Sequence, residues 1–272
     1  MVSLYNHCTK RLGAGETGAV YRFCTDKECR KCFAVKYASY AEDEVNRLRL
    51  VEAVTRKSVY RSHVNLILKA YPLNSSETLI VLEELKGVSG ISTLSQAFAL
   101  MTVAEVQVCL LQIFATLAFL HEKADRFVHM DLHLENIFIT SWPVLSEDLP
   151  TPLGSFRLSA TRFYPVLIDY GHSYTTGEPN RELWGPGSKY ANCASPVYDI
   201  YKLLALHLYP SAKGTVRLFL HDLILEYFEG LLPSNLIEKS TQTIYATGCS
   251  LLPPLTYVDV LQSRAFEPFR LK

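Results

Sequence analysis

Residues 126–140, RFVHMDLHLENIFIT, concentrate side chains that can transfer protons or bind cations. An aspartate, two histidines, a glutamate and an asparagine lie within eight positions, between a long apolar run and a strand-like run. Carboxylates and imidazoles exchange protons, and carboxylate and amide oxygens bind hard metal ions. Asp131 and Asn136 are five residues apart, and apolar residues between them can anchor the loop that carries both.

The composition restricts the class of protein. With 272 residues and 49% apolar content, the chain can form one large domain or two lobes, each with a core. The 27 basic and 27 acidic side chains balance, so we expect neither direct nucleic-acid contact nor a membrane partner. The N-terminus lacks a signal pattern, and the apolar run at 106–121 is too short to span a bilayer comfortably. We therefore expect an intracellular protein of the cytoplasm or nucleus.

Periodicity predicts an α+β architecture with two lobes. Residues 1–86 alternate apolar and polar positions and predict a small β-rich lobe, with one helix after its third strand. Residues 87–272 predict a larger helical lobe, containing a buried helix over 102–123 that begins with a capping box. A Pro- and Ser-rich stretch at 141–163 is interpreted as an insertion rather than core.

The stretch LGAGETGAV places Gly13, Gly15 and Gly18 in the pattern G-x-G-x-x-G. A dinucleotide fingerprint with these glycines requires a following helix, whereas the sequel AVYRFCT is strand-like. A glycine-rich turn between two strands lets backbone N–H groups approach phosphates without interference from a Cβ atom. Alone, the pattern would indicate an ordinary glycine hairpin.

Lys36 lies in the strand-like FAVKYA, eighteen residues after Gly18. A lysine beneath a glycine-rich hairpin can reach phosphates, but it needs a carboxylate to hold it. The following helix offers Glu44 and Glu52. Apolar residues one, four and seven positions after Glu44 favour this residue, whereas Glu52 has Arg56 four residues later.

Four motifs together resemble the eukaryotic-type protein kinases. G-x-G-x-x-G-x-V, A-V-K, H-M-D-L-H-L-E-N at 129–136 and I-D-Y-G at 168–171 occur in the order of that family. The resemblance implies a two-lobed kinase fold, ATP and Mg²⁺ as cofactors, and phosphoryl transfer to a hydroxyl group. The five-residue spacing then lets Asp131 meet the acceptor hydroxyl while Asn136 meets the metal.

The resemblance assigns roles residue by residue. The implied catalytic residues are Asp131 as the base, Lys36 on the phosphates, and His133, which can hydrogen-bond the γ-phosphate. Asn136 and Asp169 are the implied magnesium ligands. The implied ATP-binding residues are Leu12, Gly13, Ala14, Gly15, Gly18, Val20, Ala34, Lys36, Glu44, Glu83, Leu85 and Asn136. Asp199 matches the helix aspartate that hydrogen-bonds the catalytic-loop backbone.

Departures from the family pattern point to one branch. Met130 replaces the usual arginine, His133 replaces the usual catalytic-loop lysine, Tyr170 follows Asp169, and no A-P-E follows. These features resemble the haspin-related kinases, and the short chain resembles a compact viral member. The implied reaction is Ser/Thr phosphorylation of a protein, with a basic histone tail as the leading acceptor.

Two rival functions remain open from sequence. Small-molecule kinases of the aminoglycoside or choline type share H-x-D-x-x-x-x-N, but they usually lack the full glycine motif and D-[FY]-G. A pseudokinase would bind nucleotide without turnover, and loss of Lys36, Asp131, Asn136 or Asp169 would indicate one; all four are present.

The cysteines are predicted to be free. The seven cysteines have no framework-like spacing. Cys24, Cys29 and Cys32 fall in a predicted hairpin, where a zinc site would need a further ligand such as Cys8 or His7.

Overall fold

The computed structural model describes residues 9–15, 18–39, 42–141, 146–159, 161–177, 194–228 and 252–271. The chain divides into two compact units, Met1–Lys86 and Gly87–Lys272. Each unit has its own secondary structure and its own buried side chains.

The first unit contains a five-stranded antiparallel sheet. Its strands are β1 (Lys10–Gly15), β2 (Gly18–Cys24), β3 (Cys32–Ser39), β4 (Ile67–Pro72) and β5 (Glu77–Glu83). They are ordered β1-β2-β3-β5-β4, which makes β3 the central strand. Its side chains Ala34, Val35, Lys36 and Ala38 are buried, so a lysine lies within an otherwise apolar strand core.

Helix α1 (Glu42–Thr55) follows β3. Its first turn carries three acidic residues, which suit the positive end of the helix dipole. The predicted apolar stripe, Val45, Leu48 and Val51, is buried. Glu44 is buried beside this stripe and is 6% exposed. The stripe therefore holds the helix in an orientation that takes Glu44 out of solvent.

The second unit is built around a long apolar helix. Helix α2 (Leu94–Phe98) precedes α3 (Val103–Lys123), which begins at the predicted capping box. The Thr102 Oγ1 accepts the Glu105 N–H at 3.3 Å, and the Thr102 N–H donates to Glu105 Oε2 at 2.8 Å. By length and hydropathy α3 could cross a membrane, but 72% of its most apolar window is buried within the protein. Burial in the core accounts for its composition.

Four short strands form two antiparallel pairs in the second unit. They are β6 (Ile137–Thr140), β7 (Ser146–Thr151), β8 (Gly154–Ser159) and β9 (Tyr164–Leu167), paired as β6–β9 and β7–β8. A 3₁₀ turn, Leu134–Asn136, leads directly into β6. Because Ile137 pairs with Leu167, the residues before β6 and those after β9 lie side by side.

Most of the described residues from 196 onward lie in helices. Helix α4 (Pro196–Tyr201), a π-helix (Lys202–Leu208) and α5 (Tyr209–Ser211) follow one another without a break. Helix α6 (Gly214–Phe228), α7 (Tyr257–Leu261) and a 3₁₀ segment (Arg264–Phe269) complete the described part.

The stretch predicted as an insertion outside the core contains core residues, so that interpretation is wrong. Strands β7 and β8 form a hairpin in which Leu149, Phe156 and Leu158 are at most 3% exposed. The Leu271 N–H donates to the Ser155 carbonyl oxygen at 2.9 Å and joins the hairpin to the last described segment. The buried positions of the hairpin follow a two-residue period. Because this period is short and is interrupted by Pro and Ser residues, it is not evident in the sequence.

The prediction of free thiols is wrong for Cys24, Cys29 and Cys32, which are all disulfide-bonded. Cys24 and Cys32 are bonded through their sulfur atoms, because the β2–β3 register places them directly opposite each other. Cys109 is free and buried. Among the described residues no cluster of three or more His, Cys, Asp or Glu side chains could hold a metal ion. Cys8 and His7 lie outside the described residues.

We expect Phe156→Ala to lower the free energy of unfolding by about 3–5 kcal/mol, the range for removing a fully buried phenylalanine side chain. Denaturant unfolding of the whole chain measures the change. Arg157→Ala on the same strand is the matched control. The Arg157 side chain is 60% exposed in its pair with Asp148, so its loss should lower the free energy of unfolding far less. Equal effects of the two substitutions would contradict a core role for the hairpin.

Candidate active site

The glycine-rich hairpin lies at the end of β1 and the start of β2, where Gly15 pairs with Gly18. Gly18 has a φ of +152°, and a Cβ atom there would stand 1.9 Å from the Tyr37 carbonyl oxygen. This glycine is required because the backbone of β3 approaches it closely. At Gly13, by contrast, a Cβ atom would meet no described atom within 4 Å. The fold itself therefore does not require glycine at position 13, and a bare backbone there leaves space for a ligand.

The apolar residues assigned to ATP binding differ in exposure. Leu12 is 49% exposed, and Ala14 is also exposed. Val20 is half-buried, whereas Ala34 is buried in the sheet. Leu12 and Ala14 are accessible to a ligand on the surface of the hairpin, and Ala34 contributes to the core beneath it.

Lys36 is held by a buried carboxylate. It pairs across the sheet with Val20 on β2 and Ile80 on β5, so it lies two residues from Gly18 in the neighbouring strand. The Lys36 Nζ lies 2.8 and 2.9 Å from the two carboxylate oxygens of Glu44, and both side chains are buried. A buried ammonium requires such a partner, because desolvation of an unpaired charge is very costly.

The alternative partner for Lys36 is engaged elsewhere. The Glu52 Oε1 accepts a hydrogen bond from Arg56 Nη2 at 2.7 Å, on the exposed side of α1. The structure thus pairs Lys36 with Glu44, the residue that the apolar stripe favoured.

The segment that carries Glu83 and Leu85, both assigned to ATP binding, is fixed at the end of β5. The Glu83 N–H donates to the Leu66 carbonyl oxygen at 3.1 Å, and its carboxylate accepts from Arg61 Nη2 at 2.5 Å. These contacts fix both the N–H and the side chain of Glu83. Leu85, two residues later, is half-buried.

Three side chains hold the Asp131 carboxylate in the second unit. Lys202 Nζ lies 2.6 Å from Oδ1. Asn136 Nδ2 donates to Oδ2 at 3.0 Å and to the Asp131 carbonyl oxygen at 2.9 Å, and His133 Nε2 lies 3.4 Å from Oδ2. The five-residue spacing between Asp131 and Asn136 thus lets the Asn136 side chain hydrogen-bond back to Asp131.

The surroundings of Asp131 favour its ionised form. Burial raises the pKa of Asp131, but the hydrogen bond from His133 and the charge and hydrogen bond of Lys202 outweigh that effect. The net result is a pKa well below the ordinary aspartate value. Asp131 is therefore a carboxylate that accepts hydrogen bonds and has a low intrinsic basicity.

A fully buried carboxylate, Asp199, anchors the catalytic-loop backbone. Its two oxygens each accept a backbone N–H at 2.8 Å, from His129 and Met130. The Tyr257 hydroxyl donates to Asp199 Oδ2 at 2.6 Å. Met130 has a φ of +64°, a strained value for a non-glycine residue, and it immediately precedes Asp131. The contact predicted for Asp199 is confirmed.

A second anchor positions Asp169. His129 is fully buried, and burial lowers its pKa, so the neutral ring donates from Nε2 to the Ile168 carbonyl oxygen at 3.0 Å. The Ile168 N–H donates to the Asn136 carbonyl oxygen at 3.1 Å. Tyr170 is buried, and its hydroxyl donates to the Leu167 carbonyl oxygen at 2.8 Å. Asp169 itself is exposed and has a φ of +59°. It is thus presented to solvent beside Asn136.

The comparisons with known proteins agree with this arrangement. The protein kinase domain family matches residues 6–196, well over half of the 272 residues. The chain belongs to the protein kinase domain family. Its fold is also similar to the crystal structure of the PF14_0431 kinase domain, with a TM-score of 0.56 over 98% of this chain and 97% of that chain. At 12% identity this likeness shows the fold alone. No curated protein matches the chain.

The family and the two units confirm the predicted kinase fold class. A five-stranded antiparallel sheet in the N-terminal unit and a helical C-terminal unit are the features of a kinase domain. The coarse function follows as well, since a kinase domain supports phosphoryl transfer.

The oxygen donors of this kinase domain fit a magnesium ion. Asn136 donates through Nδ2 to Asp131, which leaves its amide oxygen as the atom that can reach a metal. The Asp169 carboxylate is exposed, and the preceding residue, Ile168, is hydrogen-bonded to the Asn136 backbone. Mg²⁺ is commonly held by one or two protein oxygens together with substrate phosphates, so this small donor set is sufficient.

Sequence reasoning missed two residues of the site. Lys202 contacts Asp131, and the His207 ring lies 5.8 Å from the His133 ring, measured between centroids. Burial lowers the pKa of His207 to about 4, and the positive charge of Lys202 acts in the same direction. The only signal in the sequence was a lysine and a histidine inside the apolar run VYDIYKLLALHL.

We expect Gly18→Ala and Gly13→Ala to separate folding from nucleotide binding. Gly18→Ala should lower the thermal unfolding midpoint, because its Cβ would overlap the Tyr37 carbonyl oxygen. Gly13→Ala should leave the midpoint unchanged, since its Cβ meets open space, but it should weaken Mg·ATP binding measured by calorimetry. A Gly13→Ala variant that binds Mg·ATP like the wild type would remove Gly13 from the nucleotide site.

Proposed function

We propose that the chain is a serine/threonine protein kinase that transfers the γ-phosphoryl group of ATP to a protein hydroxyl. The observation that supports this most directly is the Asp131 carboxylate, held by Lys202, His133 and Asn136 on a loop anchored by Asp199. A scaffolding module that does not turn over ATP has no need to keep such a carboxylate ionised and oriented. The buried Lys36–Glu44 pair supports phosphate binding in the first unit.

The proposed reaction breaks the bond between the γ-phosphorus and the oxygen that bridges it to the β-phosphate. A bond forms between phosphorus and the acceptor oxygen, and the hydroxyl proton passes to Asp131 and then to solvent. Because its pKa is low, Asp131 is a weak base for an unactivated hydroxyl. In a loose transition state the proton leaves late, so orienting the hydroxyl is the larger part of its task.

The remaining residues have supporting roles in the proposed mechanism. Lys36, fixed by Glu44, would bind phosphate oxygens as a point charge. The Asn136 amide oxygen and the Asp169 carboxylate would hold magnesium, which neutralises charge on the phosphates when bound. His133 would contribute a hydrogen bond from Nε2, because its Nδ1 accepts the Glu135 N–H at 3.2 Å.

We further propose that the chain is a compact, viral member of the haspin-related branch that acts on a basic histone tail. The support is the combination of D-L-H-x-x-N, D-Y in place of D-F, and D-I-Y-K-L in the following helix. A histone acceptor agrees with a cytoplasmic or nuclear location, which stays a prediction. Free thiols would have supported that location, but Cys24 and Cys32 form a disulfide bond.

Acidic residues near the catalytic loop would support the proposed basic acceptor. The candidates in the sequence are Glu135, Glu147, Asp148, Glu178 and Glu182. Glu135 is exposed and adjacent to the catalytic loop. Asp148 forms an ion pair with Arg157 at 2.9 Å, and Glu147 accepts a hydrogen bond from Tyr164. Glu178 and Glu182 lie outside the described residues. The proposal of a basic acceptor therefore depends chiefly on Glu135.

We expect Asp131→Asn to reduce phosphoryl transfer by about 10²–10⁴-fold while Mg·ATP binding stays nearly intact. The amide cannot accept the acceptor proton, but it preserves the shape of the carboxylate. Asp169→Ala should instead weaken magnesium-dependent nucleotide binding. Transfer from radiolabelled ATP to a histone mixture, choline and an aminoglycoside, run in parallel, measures the activity. If the wild-type chain labels only choline or only the aminoglycoside, it is a small-molecule kinase. If it binds Mg·ATP but transfers phosphate to no acceptor, it is a pseudokinase.

We expect the acceptor peptides to contain Ser or Thr flanked by basic residues. A peptide array read at low and high salt tests this, because attraction between an exposed carboxylate and basic side chains weakens as ionic strength rises. Glu135→Ala should reduce labelling of basic peptides, whereas Glu122→Ala, an exposed glutamate at the end of α3, is the control and should not. A preference for acidic or Pro-directed sites would contradict the proposal.

A further inference from the structure

The catalytic loop lacks the lysine that its family resemblance implies at position 133, where this chain has a histidine. The His133 ring accepts the Glu135 N–H at Nδ1 and faces Asp131 through Nε2. The two ring nitrogens of His133 therefore have different partners, one on the backbone and one on the carboxylate. Unlike a lysine, an imidazole does not carry a permanent positive charge near neutral pH.

Lys202 supplies that charge from another element. Its Nζ lies 2.6 Å from Asp131 Oδ1, and its side chain is only 9% exposed. An ammonium so deeply buried is stable only beside a compensating carboxylate, and a charge-assisted contact of this length is among the stronger hydrogen bonds in proteins. The Tyr198 ring lies 5.9 Å from the same Nζ and covers it from the preceding turn. Lys202 therefore contacts the Asp131 carboxylate from a helix that is not part of the loop.

The π-helix determines where Lys202 points. In this segment the Tyr209 N–H donates to the Leu204 carbonyl oxygen, five residues earlier. Residues five apart diverge by about 140° around a regular α-helix, whereas an i→i+5 turn brings them to the same side. Lys202 and His207 are five apart, and both face the catalytic loop, one at Asp131 and the other at the His133 ring. The wide turn thus directs Lys202 toward Asp131 and His207 toward His133, which lie on the same loop.

We propose that Lys202 is the positioning residue of the catalytic carboxylate, and that the π-helix places it there in the role left by the missing loop lysine. The proposal rests on the proposed kinase function. Lys202 holds Asp131 Oδ1 while Asn136 and His133 hold Oδ2, so the carboxylate keeps one orientation before the acceptor hydroxyl arrives.

A buried Lys–Asp pair could also serve stability alone, so the test must separate the two roles. Four variants are compared with the wild type: Lys202→Met, Lys202→Arg, the double variant Lys202→Met/His133→Lys, and the exposed control Lys213→Met. For each, kcat and KM for ATP and for a histone acceptor, the Mg·ATP dissociation constant and the thermal unfolding midpoint are measured.

We expect Lys202→Met to lower kcat by about 10²-fold, the usual effect of a misplaced catalytic group, with little change in KM for ATP. Lys202→Arg should recover part of kcat. The double variant should recover at least about 10-fold over Lys202→Met, because the cation returns to the loop position beside Asp131. Lys213→Met should match the wild type. Should Lys202→Met fail to fold, Lys202→Gln takes its place and is expected to show the same loss of kcat.

Two outcomes would overturn the proposal in an active kinase. One is a kcat for Lys202→Met within about 3-fold of the wild type, far from the 10²-fold loss expected of a misplaced catalytic group. The other is a loss of kcat that neither Lys202→Arg nor the double variant recovers and that follows the unfolding midpoint. A wild-type chain that transfers phosphate to no acceptor would instead overturn the kinase function itself, so the two failures are distinct.

Discussion

The position of the catalytic loop depends on one buried carboxylate. Asp199 receives two backbone N–H groups of the loop and one tyrosine hydroxyl, and no part of it reaches solvent. Hydrogen bonds to a charged group contribute about 1.5–3 kcal/mol each, which is enough to hold Met130 at a positive φ that costs about 1–3 kcal/mol. The strained residue directly precedes Asp131, so the anchor sets the direction in which the Asp131 side chain leaves the backbone.

Each unit of the kinase domain also buries a lysine against a carboxylate. Lys36 and Glu44 form the pair in the first unit, and Lys202 and Asp131 form the pair in the second. Such pairs add little net stability, because desolvation consumes most of the attraction. Their value lies in orientation, since a buried charge has few positions in which it is tolerated. In both pairs the lysine comes from an element whose apolar neighbours are packed in the core.

The sequence predicted those parts of the candidate site that follow from a local apolar period or from the order of known motifs. The apolar stripe of α1 identified Glu44, and the motif order identified Asp131, Asn136 and Asp169. The Cys24–Cys32 bond was missed, since a separation of eight residues does not reveal strand register. The β7–β8 hairpin was missed because its buried positions are few and are interrupted by Pro and Ser.

Lys202 could not be predicted for a different reason. Its orientation depends on a helix that changes its hydrogen-bonding pattern, and helical periodicity assumes that the pattern is constant. The apolar residues around Lys202 are compatible with either pattern. Only a structure distinguishes a lysine that leaves the helix toward solvent from one that turns into the catalytic loop.

The π-helix has a consequence for how this chain is compared with its relatives. A π-turn contains one residue more than an α-turn, so the residues after the π-helix are shifted by one position relative to any relative whose helix is regular throughout. The family match ends at residue 196, six positions before the π-helix begins. An alignment that continues past the π-helix without a gap would pair the residues after it with the wrong partners. Transfer of residue roles into the C-terminal helices should therefore follow superposed backbones.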